Sequence, residues 1–172
     1  RLILPYNITL FTFDFSGCGH SEGDYISLGY FEKHDVETVV DHLRKSDSVS
    51  RIALWGRSMG AATAILFGAN DPSIAGLVLD SPFSSLKIVS MELVEMSQLK
   101  IPKLILNGAL KLIRSRIQDR AHFDIKALKP IKSAPSCFVP ALFVHGSEDT
   151  FILPHHSKDI QKVYGGESNL IL

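Results

Sequence analysis

Short apolar runs alternate with helical patterns along most of this chain, and that rhythm narrows its fold more than any other feature. Ile8-Thr9-Leu10-Phe11-Thr12-Phe13-Asp14 is β-branched and aromatic, and turn chemistry follows at Ser16-Gly17-Cys18-Gly19. From Glu32 to Lys45, Val36, Val39, Val40 and Leu43 form one apolar helical stripe, with acidic residues early and basic ones late. Further strands are predicted at residues 51–55, 74–79 and 140–144, and another begins at Asn169. Helices are predicted from Met59 to Gly68 and from Pro154 to Tyr164. Most of the strands are apolar throughout, as expected where both faces are covered. The expected fold is therefore α/β, with a doubly wound, mostly parallel sheet.

One stretch breaks the rhythm. Two helical patterns, near residues 86–98 and 101–116, fall between Asp80 and Pro140, where one crossover helix would suffice. Residues 81–139 are expected to form a helical insertion that either walls a pocket like a lid or simply adds surface contacts.

Composition excludes several classes. With 18 basic and 18 acidic residues among 172, and no basic stripe, the chain lacks the charge surplus of a nucleic-acid binder. No apolar run approaches the ~18 residues of a transmembrane segment. Cys18 and Cys137 cannot make a disulfide framework, so a cytoplasmic setting is the default expectation. The chain opens at Arg1 and closes on the apolar run Asn169-Leu170-Ile171-Leu172, which suggests a piece of a longer protein.

Gly56-Arg57-Ser58-Met59-Gly60 stands where an apolar strand passes directly into a small-residue helix. A serine on so sharp a turn takes strained dihedrals, needs small neighbours at Gly56 and Gly60, and lifts its hydroxyl clear of the strand. The helix behind it offers the Met59 N–H to a developing oxyanion. A serine cap flanked by packing glycines is the bland alternative.

With these residues the chain resembles the α/β-hydrolase superfamily, in its esterase, thioesterase and serine-aminopeptidase-like branch. Four segments carry the resemblance in the family's order: Phe13-Asp14-Phe15-Ser16-Gly17-Cys18-Gly19-His20-Ser21-Glu22-Gly23, Leu54-Trp55-Gly56-Arg57-Ser58-Met59-Gly60, Leu79-Asp80-Ser81-Pro82-Phe83 and Val144-His145-Gly146-Ser147-Glu148-Asp149. It implies an α/β-hydrolase fold lacking its first strands and the end of the last. It also implies a Ser-Asp-His triad with Ser58 as nucleophile and Asp149 as the acid. Asp80 is the rival carboxylate, read as tying loops together, and Glu148 as pointing to solvent. His20 could line the pocket, although a role in its own turn is preferred. Asp14, Glu22 and Asp24 are expected to order that same turn.

The chain departs from the family pattern twice. The triad histidine should follow the eighth strand, beyond Leu172, and none of His20, His34, His42, His122, His145, His155 or His156 is well placed to replace it. A second oxyanion donor normally comes from a His-Gly motif after the third strand, whereas residues 1–6 look like the tail of a helix. That strand lies between the fourth and fifth in the family, so its loss leaves a slot of ~10 Å beside residues 8–14, or a direct pairing that closes it.

The expected activity is hydrolysis of an ester or thioester acyl substrate by the full-length parent, with the present chain alone nearly inert. A peptidase of the same fold and a non-catalytic binding fold are the alternatives. No cofactor is expected. No metal is expected either, because His155 and His156 are adjacent and not spaced i, i+4.

Overall fold

A computed structural model of the chain describes residues 4–97 and 103–172. Residues 1–3 of the expected N-terminal helical tail, and Gln98 and Ile101 at the ends of the two insertion helices, lie outside the described residues; Leu4–Tyr6 form one 3-10 turn.

Four strands, β1 (Ala53–Arg57), β2 (Gly76–Asp80), β3 (Ala141–Val144) and β4 (Ser168–Ile171), make one parallel sheet in the order β1-β2-β3-β4. Among the described residues six α-helices accompany them: α1 (Glu32–Arg44), α2 (Met59–Gly68), α3 (Leu86–Met96), α4 (Lys103–Ala121), α5 (Pro130–Ser133) and α6 (His155–Val163). Among the described residues, 81–139 hold α3, α4 and the short α5, the last of which has no sequence periodicity to announce it.

The strand order explains where the helices lie. Parallel crossovers are right-handed, so strands added steadily in one direction place every crossover on the same side of the sheet. Leu54, Leu77, Leu79, Ala141, Phe143 and Leu170 face that side and pack with Val36 and Val40 of α1, Ala61, Ala64, Ile65 and Phe67 of α2, and Ile160 of α6. Each fully buried aliphatic or aromatic side chain contributes about 1.5–3 kcal/mol. Helix α2 is apolar on every side because α1, the sheet and a second cluster (Ala62, Phe83, Val89, Leu128 and Ile152) surround it. The opposite face carries Trp55, Val78, Leu142, Val144 and Ile171. No described helix covers it, and Trp55 is 67% exposed.

Residues 8–14 do not form the expected strand. They run outside the sheet, with Ile8, Leu10, Phe11 and Phe13 exposed, and β1 is left as an edge paired to β2 alone. Direct pairing of residues 8–14 with β1 is not seen. Strand propensity needs a ladder partner at ~4.8 Å, and no described segment supplies one. Only Phe15, at the end of the run, packs on the core.

The approach to α1 is fixed by a buried carboxylate. Glu32 accepts the backbone N–H of Ser27 at 2.6 Å and of Gly29 at 2.7 Å, and also the Ser27 hydroxyl. The helix N-terminus adds favourable positive potential. This sets Gly29 against Thr63 and Leu66 of α2, where a Cβ would already be tight at 3.3 Å from Thr63 Oγ1. In the insertion, Arg114 of α4 grips Asp124 through Nε at 2.7 Å and holds its carboxyl down to about 2. Replacing Glu32 with Ala strands three buried donors, so Glu32→Ala should lower unfolding free energy by about 2–5 kcal/mol in urea denaturation.

Candidate active site

The carboxyl ends of the strands form a row, because Arg57, Asp80, Val144 and Ile171 are in register across the sheet. The ladder continues one residue past each strand. Ser58 N–H donates to the Asp80 carbonyl at 2.8 Å, Ser81 N–H to Val144 at 2.8 Å, and His145 N–H to Ile171 at 2.9 Å. Ser58, Asp80 and the loop that carries Asp149 therefore leave one edge of the sheet side by side.

At Ser58 the backbone has φ 49° and ψ −108°, a region that non-glycine residues avoid, costing about 1–3 kcal/mol. Two hydrogen bonds hold it there: its own N–H to Asp80, and Ala62 N–H to its carbonyl at 3.0 Å. The chain turns so sharply that a Cβ on Gly56 would lie 2.2 Å from the Gly60 carbonyl carbon and oxygen and 2.5 Å from Ala61 N. Gly60 differs: a Cβ there meets nothing within 4 Å among the described residues. The Ser58 side chain does not cap α2 and has no hydrogen-bond partner among the described residues, and it is half-buried. Met59 opens α2, so its N–H has no acceptor within the helix.

Asp149 is half-buried on the loop after β3. Its Oδ1 accepts the N–H of Phe151 at 2.9 Å and of Ile152 at 3.0 Å, and among the described residues Oδ2 has only a 3.7 Å approach to His145 Nε2. Asp80 is otherwise engaged, with Oδ2 3.7 Å from Arg57 Nε and Oδ1 accepting the Ser81 hydroxyl at 2.9 Å. His20 is exposed, and its backbone N–H donates to Asp14 at 3.0 Å. Asp14 also accepts the Ser21 hydroxyl through its carbonyl, while Ser16 is tied to Asp35 of α1 at 2.8 and 2.9 Å. Glu22 enters this turn through its carbonyl, which accepts the Gly17 N–H.

Two histidines outside the expected triad are paired with serines. His145 Nε2 donates to the Ile152 carbonyl at 2.7 Å, so Nδ1, 2.6 Å from Ser157 Oγ, accepts the hydroxyl proton. His156 lies between Ser84 Oγ at 2.7 Å and Glu92 Oε2 at 2.8 Å, a Ser-His-Glu line in outline. Burial pushes the His156 imidazole below its ordinary value. Ser84 and Ser157 are at most 1% exposed, so no substrate carbonyl reaches either. These pairings join residues 12 and 72 positions apart, and local patterning carries no trace of them.

An apolar cavity of about 430 Å³ lies beneath the insertion. It is lined by Tyr25, Ile26, Leu28, Leu86, Ile113 and Phe123 among others. Leu28 and Leu86 also pack against the cluster that includes Ala62, one turn along α2 from Ser58. His20 does not line it. No helix among the described residues is long and apolar enough to cross a membrane.

A parallel sheet crossed in this way, with a strained serine between β1 and α2, defines an α/β hydrolase. Within that superfamily the chain belongs to the serine aminopeptidase family, S33, whose pattern it matches over residues 6–129. It is 28% identical over 166 residues to the α/β-hydrolase domain-containing protein WAV2 of Arabidopsis thaliana, covering 91% of this chain and 49% of that protein. It is also 28% identical over 177 residues to monoglyceride lipase of Homo sapiens, covering 87% and 58%. The chain spans about half the length of the curated relatives it matches. Among solved structures, an esterase of Pyrococcus furiosus superposes with a TM-score of 0.66 at 22% identity, over 92% of this chain and 56% of that one. The esterase Est1E of Butyrivibrio proteoclasticus, with ferulic acid bound, gives 0.67 at 20% identity over 92% and 64%. At these identities the likeness is one of fold.

The two elbow glycines should respond differently to substitution. Gly56→Ala forces backbone apart and should cost about 3 kcal/mol or more, and Gly60→Ala should cost less, compared by urea denaturation of the two variants.

Proposed function

We propose that the full-length protein is a serine hydrolase that cleaves ester or thioester bonds through an acyl-enzyme. The observation that carries this reading is the Ser58 backbone, held at φ 49° at the tip of β1 with its hydroxyl unpartnered among the described residues. Strain of this kind persists only where surrounding structure over-determines it, and it concentrates at functional sites.

Ser58 Oγ attacks the acyl carbonyl carbon and passes its proton to the triad imidazole, which returns it to the leaving alcohol or thiol. Water then repeats the sequence to release the acid. Asp149 orients the imidazole through Oδ2, and its two backbone donors on Oδ1 keep the carboxylate from rotating. The Met59 N–H stabilises the oxyanion, a contribution worth about 3 kcal/mol. The imidazole is assigned to sequence beyond Leu172, because His145 and His156 are committed to buried partners. Residues 81–139 act as a lid-like insertion, and the apolar cavity beneath takes the acyl group. The names of the esterase and lipase relatives support this substrate class.

Peptide cleavage is the second reading, favoured by the family's description as serine aminopeptidases. Both use the same nucleophile, so substrate preference separates them: an apolar acyl pocket predicts faster turnover of p-nitrophenyl esters than of aminoacyl p-nitroanilides.

A fluorophosphonate probe should label the full-length protein at Ser58, and Ser58→Ala should abolish labelling and lower esterase kcat by about 10⁶. Asp149→Asn should reduce kcat by about 10⁴. Labelling that persists in Ser58→Ala, or is absent from the wild type, rejects the proposal. The present chain without a triad histidine should show esterase activity no better than the Ser58→Ala variant.

A further inference from the structure

Three side chains of metal-ligating type, from two separate elements, meet beside the loop that carries Asp149. Glu92 of α3 reaches the first turn of α6, where its Oε1 lies 2.8 Å from His155 Nε2 and its Oε2 lies 2.8 Å from His156 Nε2. The ligand atoms of all three residues fall within 4.8 Å of one another. Residues at i and i+1 diverge by about 100° around a regular helix. The two rings at the start of α6 nevertheless sit 4.3 Å apart, centroid to centroid.

The remaining nitrogen of each ring is already held. His155 Nδ1 lies 3.1 Å from Asp159 Oδ2, and His156 Nδ1 lies 2.7 Å from Ser84 Oγ. Both Nε2 atoms are thereby aimed at the same carboxylate. The cluster is buried on the His156 side and open on the other, where the His155 side chain is 42% exposed.

We propose that Glu92, His155 and His156 form a zinc site that clamps α3 to the start of α6, with solvent as the fourth ligand. Two imidazoles and one carboxylate are a donor set for zinc and related transition ions, whereas calcium and magnesium prefer oxygen throughout. Tetrahedral bonds of about 2.0–2.1 Å put neighbouring ligand atoms about 3.3 Å apart, so each 2.8 Å contact opens by roughly half an ångström to admit the ion. Asp159 on His155 then completes a carboxylate–histidine–metal arrangement. The proton of His156 moves from Nε2 to Nδ1, where Ser84 Oγ accepts it, and the longer 3.3 Å contact from Ser84 N–H is lost. A doubly protonated His155 releases its Nε2 proton to solvent.

Calorimetric titration of the chelator-treated full-length protein with zinc chloride tests the proposal. One-to-one saturable binding is expected, with X-ray absorption showing a four-atom nitrogen and oxygen shell, and magnesium chloride giving no heat. His155→Ala and Glu92→Gln should each abolish that binding. Asp159→Asn, an exposed change that leaves all three ligands in place, should weaken it by about tenfold. Absence of saturable zinc binding, or binding that survives in both His155→Ala and Glu92→Gln, overturns the zinc site.

Discussion

The hydrogen bond from Ser58 N–H to the Asp80 carbonyl is the contact on which the rest of the site depends. It extends the β1–β2 ladder one residue beyond the strand, just where the chain must reverse into α2. A backbone at φ 49° relaxes unless both sides are held, and here the Ala62 N–H holds the other. Gly56 makes the turn possible by letting the Gly60 carbonyl come within 2.2 Å of where a Cβ would stand. Strand pairing, helix nucleation and close backbone approach thus converge on one residue, and its hydroxyl is left clear as a consequence.

The same sheet is unequal on its two faces. Four strands added in one direction carry all their crossovers on one side, so the core forms there from α1, α2 and α6. The other face keeps the apolar character of a covered strand, with Trp55, Val78, Leu142, Val144 and Ile171 on it. Residues 8–14 share this condition: their composition suits a strand, yet no described neighbour pairs with them. Apolar patterning records the environment for which a segment is suited, and pairing depends on a partner being present.

Polar contacts over long sequence separations shape the region around Asp149. His145 and His156 are each fixed by a serine hydroxyl and a second partner, and burial denies both serines any substrate. The half-buried Ser58, whose hydroxyl has no partner among the described residues, and the fully buried serines paired with histidines therefore differ in what can reach them. Glu92 joins α3 to α6 through two imidazoles, which ties α3 to the helix that follows the Asp149 loop.

The sequence by itself determined the order of the strands and of the helices other than the short α5 from Glu32 onward, the helix limits of α1 and α2 nearly to the residue, and the strand-to-helix turn at Ser58. These depend on interactions within a few residues: the i, i+3, i+4 stripe of Val36, Val39, Val40 and Leu43, the apolar run into Gly56, and the steric demands of a sharp turn. Only the tertiary structure decided that Glu32 is a buried acceptor and not merely a first-turn charge, that residues 8–14 stay outside the sheet, and that His155 and His156 converge on Glu92. The physical reason is that such outcomes depend on which distant groups share a desolvated space, and sequence spacing carries no measure of that distance.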